Sequence, residues 1–152
     1  FTVAHTITLA LAALGYTDFI EDWFNNTFET VEFIQVVEVL IAASIVYVGF
    51  ENLFKRELSP WRPFVIFGFG LLHGLGFASV LADFGLPEAS FVPALIGFNV
   101  GVELGQLTVI ALAFAAVGWA ANHAWYRSRI AVPASCVIAA VGAYWFVERV
   151  FL

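Results

Sequence analysis

The chain has 152 residues, 62% of them hydrophobic and only 12% charged, with a formal net charge of −6 and a mean hydropathy of +0.92. Those values exclude a soluble globular domain and a disordered chain, and place it among polytopic membrane proteins. Six Lys and Arg against twelve Asp and Glu leave no basic surface for nucleic acid, and the lone Cys136 excludes disulfide or Cys-x-x-Cys chemistry within the chain.

Long apolar runs, rather than short alternating strands, predict spanning helices, because in lipid each backbone group must be paired within its own segment. The first run, 1–14, is too short to cross alone and reads as the tail of a longer helix, with Thr2, His5, Thr6 and Thr8 along it. There is no Met in the chain, and Phe1 already lies in apolar sequence, so one or more helices are expected before it. Gly15 opens a loop, 16–30, that holds Asp18, Glu21, Asp22 and Glu29 with no Lys or Arg. Its Trp23, Phe24 and Phe28 predict a short segment lying along the bilayer surface.

A second helix, 31–54, contains Glu32, Glu38, Ser44, Glu51 and Asn52, and a tight basic turn with Lys55, Arg56 and Arg62 follows it. The third helix, 63–83, carries His73 among Gly68, Gly70, Gly74 and Gly76. Small residues at four-residue spacing, Gly70 and Gly74, let a neighbouring backbone come close, and an ionisable ring inside such a helix faces protein or water rather than lipid. The fourth helix, 92–120, sets Gly97, Gly101 and Gly105 on one side and Asn99, Glu103 and Gln106 on the other. A loop with His123, Arg127 and Arg129 leads to the fifth helix, 130–148. The expectation is one all-α domain over 1–152, a polytopic transmembrane bundle of about five helices. By the positive-inside rule the basic loops 55–62 and 123–129 face the cytoplasm and the acidic loop 16–30 the periplasm or exterior.

Counting roughly 1.5 Å per residue from the helix ends, His5, His73 and Glu103 come to a similar depth near the bilayer midplane, with Glu38 nearer the outer side. A midplane carboxylate costs roughly 2.5–3.5 kcal/mol on insertion scales, so Glu38 and Glu103 need a cation or hydrogen-bond partners. Two imidazoles with one or two carboxylates suit a borderline divalent metal such as Ni, Cu, Co, Zn or Fe. Thr6, Thr8, Ser44, Asn99 and Gln106 are placed to orient those ligands, and Glu51 with Asn52 sits near the inner end of its helix as part of the same polar set. Each residue also has a plainer reading. A lone intramembrane His is often a packing residue, Asn99 and Gln106 serve as interhelical glue, the glycine rows are packing surfaces, Glu51 and Asn52 cap or snorkel, and Glu32, Glu148 and His123 are solvated ends.

The sequence resembles the HupE/UreJ family of bacterial integral membrane proteins. The resemblance rests on Ala4-His5-Thr6, Val37-Glu38-Val39-Leu40, Phe50-Glu51-Asn52-Leu53, His73-Gly74-Leu75-Gly76-Phe77-Ala78 and Phe98-Asn99-Val100-Gly101-Val102-Glu103-Leu104-Gly105-Gln106, in order along nearly the whole chain. It implies a nickel-related permease or accessory protein of the bacterial inner membrane. It also implies a further helix with a Gly-x-Asp-His type motif that this sequence does not contain. Two other readings stay open: a structural subunit of a larger membrane complex or a homo-oligomer, and a b-type haem subunit with His5 and His73 as axial ligands. Three histidines are too few for a membrane di-iron hydroxylase, and no nucleophile–base pair or phosphate loop points to an enzyme.

Overall fold

The computed structural model describes residues 1–28, 32–55, 59–83 and 88–151, so the expectations placed on Glu29 and Arg56 lie outside the described residues. Six α-helices account for nearly all of it: α1 (Thr2–Ala13), α2 (Asp18–Thr27), α3 (Phe33–Phe54), α4 (Arg62–Asp83), α5 (Glu88–Val117) and α6 (Val132–Phe151). By length and composition Phe33–Phe54, Val92–Ala120 and Arg127–Phe151 can each cross a membrane, while Thr2–Ala12 and Arg62–Ala78 are shorter apolar helical stretches. No strand occurs among the described residues. The expected helices are all present, and the aromatic part of the acidic loop forms a further short helix, α2. The fourth expected helix begins at Glu88, ahead of Pro93, and the fifth is entered through a π-helical turn, Arg127–Ala131.

Helix ends follow local chemistry. Gly15 has φ +78°, and Gly15 N donates to Ala12 O at 2.9 Å while Tyr16 N donates to Leu11 O at 3.0 Å. This pair of bonds is a Schellman motif, which needs a left-handed residue at its centre, and it stops α1 where the sequence places a glycine. α2 is amphipathic: Phe24 packs on Phe28 and on Phe33, Asn25 Oδ1 accepts from Phe33 N at 2.8 Å, and Phe19, Ile20 and Trp23 stay exposed. A bare aromatic edge beside an acidic face is the composition of a helix at a membrane interface.

The chain forms two compact units, Phe1–Gly85 with Ser135–Leu152, and Leu86–Ala134. In the first, glycines line each junction between neighbouring helices. A Cβ at Gly70 would lie 2.7 Å from Phe1 O, and one at Gly74 would lie 2.5 Å from His5 O, so α1 rests its backbone directly on α4. On its other side, α4 receives Ile41 of α3 at Gly76 and sets Phe69 edge-on to Tyr47. The far face of α3 meets α6, with Gly49 against Ala139 and Gly142 against Ile45. The sequence order of helices is thereby rearranged into α1, α4, α3, α6, with α4 and α3 in the middle.

The second unit holds α5, a 3-10 turn at Gly118–Ala120 and the loop after it. Trp119, His123 and Trp125 meet ring to ring there, with centroids 5.4–6.1 Å apart. His123 is exposed, as a solvated end requires, but it leans on two indoles. The expected packing of Gly97, Gly101 and Gly105 is not made among the described residues, since a Cβ at any of them would meet no atom within 4 Å.

This contrast predicts opposite outcomes for two glycine rows. Gly74→Val should destabilise the detergent-solubilised protein by about 1–3 kcal/mol through overpacking, read as a lower thermal or denaturant midpoint. Gly101→Ala should be neutral or slightly stabilising, because Ala is the better helix former.

Candidate functional site

His73 owes its position to the helical repeat. At about 100° per residue it lies roughly 60° from Gly70, which faces α1, and roughly 60° from Gly76, which faces α3. The ring therefore emerges in the angle between two packing seams rather than inside either. It lines two clefts: one of about 390 Å³ with Phe1, Ser44 and Ile138, and one of about 380 Å³ with Glu38, Phe77, Trp145 and Arg149. Its Nδ1 lies 2.7 Å from Phe69 O, one turn back. A carbonyl can only accept, so Nδ1 carries the proton and the lone pair is on Nε2. An imidazole fixed in this tautomer by a backbone carbonyl is set up to give Nε2 to a metal or a proton.

His5 is 1% exposed. Phe1 stacks on it at 6.0 Å and Phe77 meets it edge-on at 5.5 Å, while Phe1 also presents an edge contact to His73 at 5.2 Å. The two histidines expected to act together thus both meet one phenyl ring, that of Phe1.

The hydroxyl groups expected to orient these rings bond to their own helices. Thr8 Oγ1 donates to Ala4 O at 3.2 Å, and Ser44 Oγ donates to Ile41 O at 2.7 Å. Thr6 lies half-buried on α1. Asn99 Nδ2 likewise donates to Leu95 O at 2.9 Å. Back-bonding of this kind is the cheapest way to satisfy a polar side chain inside an apolar helix.

The carboxylates fall into three different environments. Glu51 is 8% exposed and accepts from Lys55 Nζ at 3.1 Å, with Arg62 Nη1 at 3.9 Å. Arg62 Nη2 also donates to Asn52 Oδ1 at 3.0 Å, so Glu51 and Asn52 tie the start of α4 to the end of α3. They are a structural clamp at the basic turn. Glu38 has Arg149 Nε 3.5 Å from its Oε2. Glu103, in the second unit, is half-buried with Asn99 and Gln106 on one face of α5, and its Oε2 is buried with no hydrogen-bond partner among the described residues. A buried carboxylate oxygen left in that state is costly, and a cation or a further hydrogen-bond donor would satisfy it.

Among the described residues, no three His, Cys, Asp or Glu side chains come together as a set able to hold a metal. The clefts do unite His73 with Glu38, and they add Phe1, Phe77, Trp145 and Arg149, which sequence reasoning did not single out. One signal for Arg149 was present. Of six Lys and Arg residues it is the one outside the two basic segments.

A helical chain with several membrane-length apolar spans and polar groups set between them is a polytopic membrane protein. The family model described as HupE / UreJ protein matches residues 1–149, and the chain belongs to the HupE/UreJ family. No curated protein and no solved structure matches it.

The buried clamp gives a test of its own. Glu51→Ala should lower stability by about 1–3 kcal/mol, because Arg62 then loses its carboxylate while still partly buried. Chemical unfolding of the solubilised protein should show this, with Glu32→Ala, at an exposed position, leaving the midpoint within about 0.5 kcal/mol.

Proposed function

We propose that the protein handles a divalent transition-metal ion in the bacterial inner membrane, as a permease or as a metal-binding accessory protein, and not as an enzyme. The observation that carries this reading is His73, whose Nδ1 is bound to Phe69 O and whose ring lines a cleft together with Glu38. One borderline nitrogen and one carboxylate oxygen suit Ni, Co, Cu or Zn, and Ni is favoured by the family. Glu103 Oε2, buried without a hydrogen-bond partner among the described residues, supplies a further oxygen donor within its own unit, flanked by Asn99 and Gln106. His5 is the other nitrogen donor, enclosed by Phe1 and Phe77. A permeating ion must be held weakly enough to leave, and a site of one imidazole and one carboxylate meets that condition better than a closed cage. The positive-inside bias supports an orientation with 55–62 and 123–129 cytoplasmic and 16–30 periplasmic.

A second reading, an accessory subunit that packs against a partner or another copy of itself, draws on α5. None of its apolar window is buried, and its glycine row meets open space.

Purified protein in liposomes loaded with a metal-sensitive dye tests the first reading against the second. Wild type should admit Ni²⁺ or Co²⁺ above the rate of empty liposomes, and His73→Ala or Glu103→Gln should cut that flux by about 10-fold or more, as loss of a metal ligand does. No flux, and no metal retained by the detergent-solubilised protein, would leave the accessory-subunit reading in its place.

A further inference from the structure

Five of the six Lys and Arg residues lie within 55–62 and 127–129, and Arg149 stands alone at the opposite end of α6 from Arg127 and Arg129. The positive-inside bias gives no reason for a cation there, but the register of α3 on α6 does. The two helices run antiparallel, with Gly49 at Ala139 and Ile45 at Gly142, and the same register carried outward sets Glu38 against Arg149. Arg149 Nε lies 3.5 Å from Glu38 Oε2, and Gln35 Nε2 donates to Arg149 O at 3.4 Å, which ties down the helix end. The carboxylate that shares a cleft with His73 therefore already has a cation, one that the protein supplies itself.

We propose that Arg149 is a specificity-determining residue: it competes for Glu38, and an entering ion takes full hold of the carboxylate by displacing the guanidinium from Oε2. This rests on the reading of His73 and Glu38 as cation ligands. An alkali ion carries the same single charge as the guanidinium and has little affinity for imidazole, so the exchange would lose a charge-assisted contact and gain nothing. Mg²⁺ carries two charges but gives up its water reluctantly and prefers oxygen. A divalent transition ion brings two charges and also takes His73 Nε2, so it is the class of ion for which displacement is favourable. The displaced guanidinium has a carboxylate within the same groove, because Glu148 lines it with Gln35, Glu38 and Arg149. From there its charge still repels the bound ion, which keeps binding reversible.

The test uses the full chain in liposomes, with Ni²⁺ uptake measured in excess NaCl and in excess choline chloride. Wild-type uptake should be the same in both. Arg149→Gln should reach half-saturation at about tenfold lower Ni²⁺ in choline, as removal of a competing close charge implies, and should be inhibited by Na⁺. Arg149→Lys, which keeps the charge, should restore indifference to Na⁺. An Arg149→Gln protein that is folded, transports, and matches wild type in both salts overturns the competitor role and leaves the metal reading standing. A wild type that takes up no Ni²⁺ overturns the metal reading and this proposal together. If Arg149→Gln does not fold, Glu148→Gln decides, since it leaves the ion pair in place and removes the acceptor for the displaced guanidinium. Half-saturation should then need several-fold more Ni²⁺, and an unchanged value overturns the proposal.

Discussion

The first unit depends on one close approach, that of the α1 backbone to the glycine face of α4. A Cβ at Gly74 would lie 2.5 Å from His5 O and 2.9 Å from Leu9 N, distances at which no other residue type fits without moving a helix. In lipid, helices gain little from hiding apolar surface from one another, so dispersion contacts between closely approaching backbones take over the work that the hydrophobic effect does in water. That approach buries His5 to 1% exposure. It also brings Phe1 against both imidazoles, and it leaves His73 one step round the helix, at the edge of the seam. The placement of a polar ring beside a cleft is thus a by-product of where glycines permit contact.

Three carboxylates in the apolar helices are stabilised in three ways, and the differences sort their roles. Glu51 has two cations and belongs to the architecture of the α3–α4 turn. Glu38 has one, Arg149, in a more exposed setting, so its ion pair can open at lower cost. Glu103 Oε2 has no hydrogen-bond partner among the described residues and is the least satisfied of the three. A carboxylate neutralised twice holds a fold together, and under the proposed function those neutralised once or less are the ones available to a cation.

Much of this was legible in the residues themselves. Apolar length located the helices, the Gly15 stop located the end of α1, and the Gly70–Gly74 pair announced a close helix contact. The aromatic and acidic loop announced α2. Signals of this kind are local, since each depends on side chains within a few turns of one another along a single helix. The pairing of Glu38 with Arg149 was not legible, because it spans 111 residues, the difference between those two positions. It exists only because α3 and α6 run antiparallel in one particular register. Nor was the fate of the hydroxyl groups legible: Thr8 and Ser44 are spaced to meet a ligand, but a carbonyl three or four residues back is always closer.

The two glycine rows mark the same boundary most sharply. Their sequence spacing is alike, yet Gly70 and Gly74 hold a helix against them while Gly97, Gly101 and Gly105 meet no atom within 4 Å among the described residues. Sequence determined that this chain is helical and membrane-embedded, and which family it belongs to. It did so because apolar length, glycine spacing and motif order are properties of the chain alone. Tertiary structure decided which glycines carry contacts, which side chains share a cleft with His73, and which cation answers Glu38. Those follow from helix order and register, and no single helix contains that information.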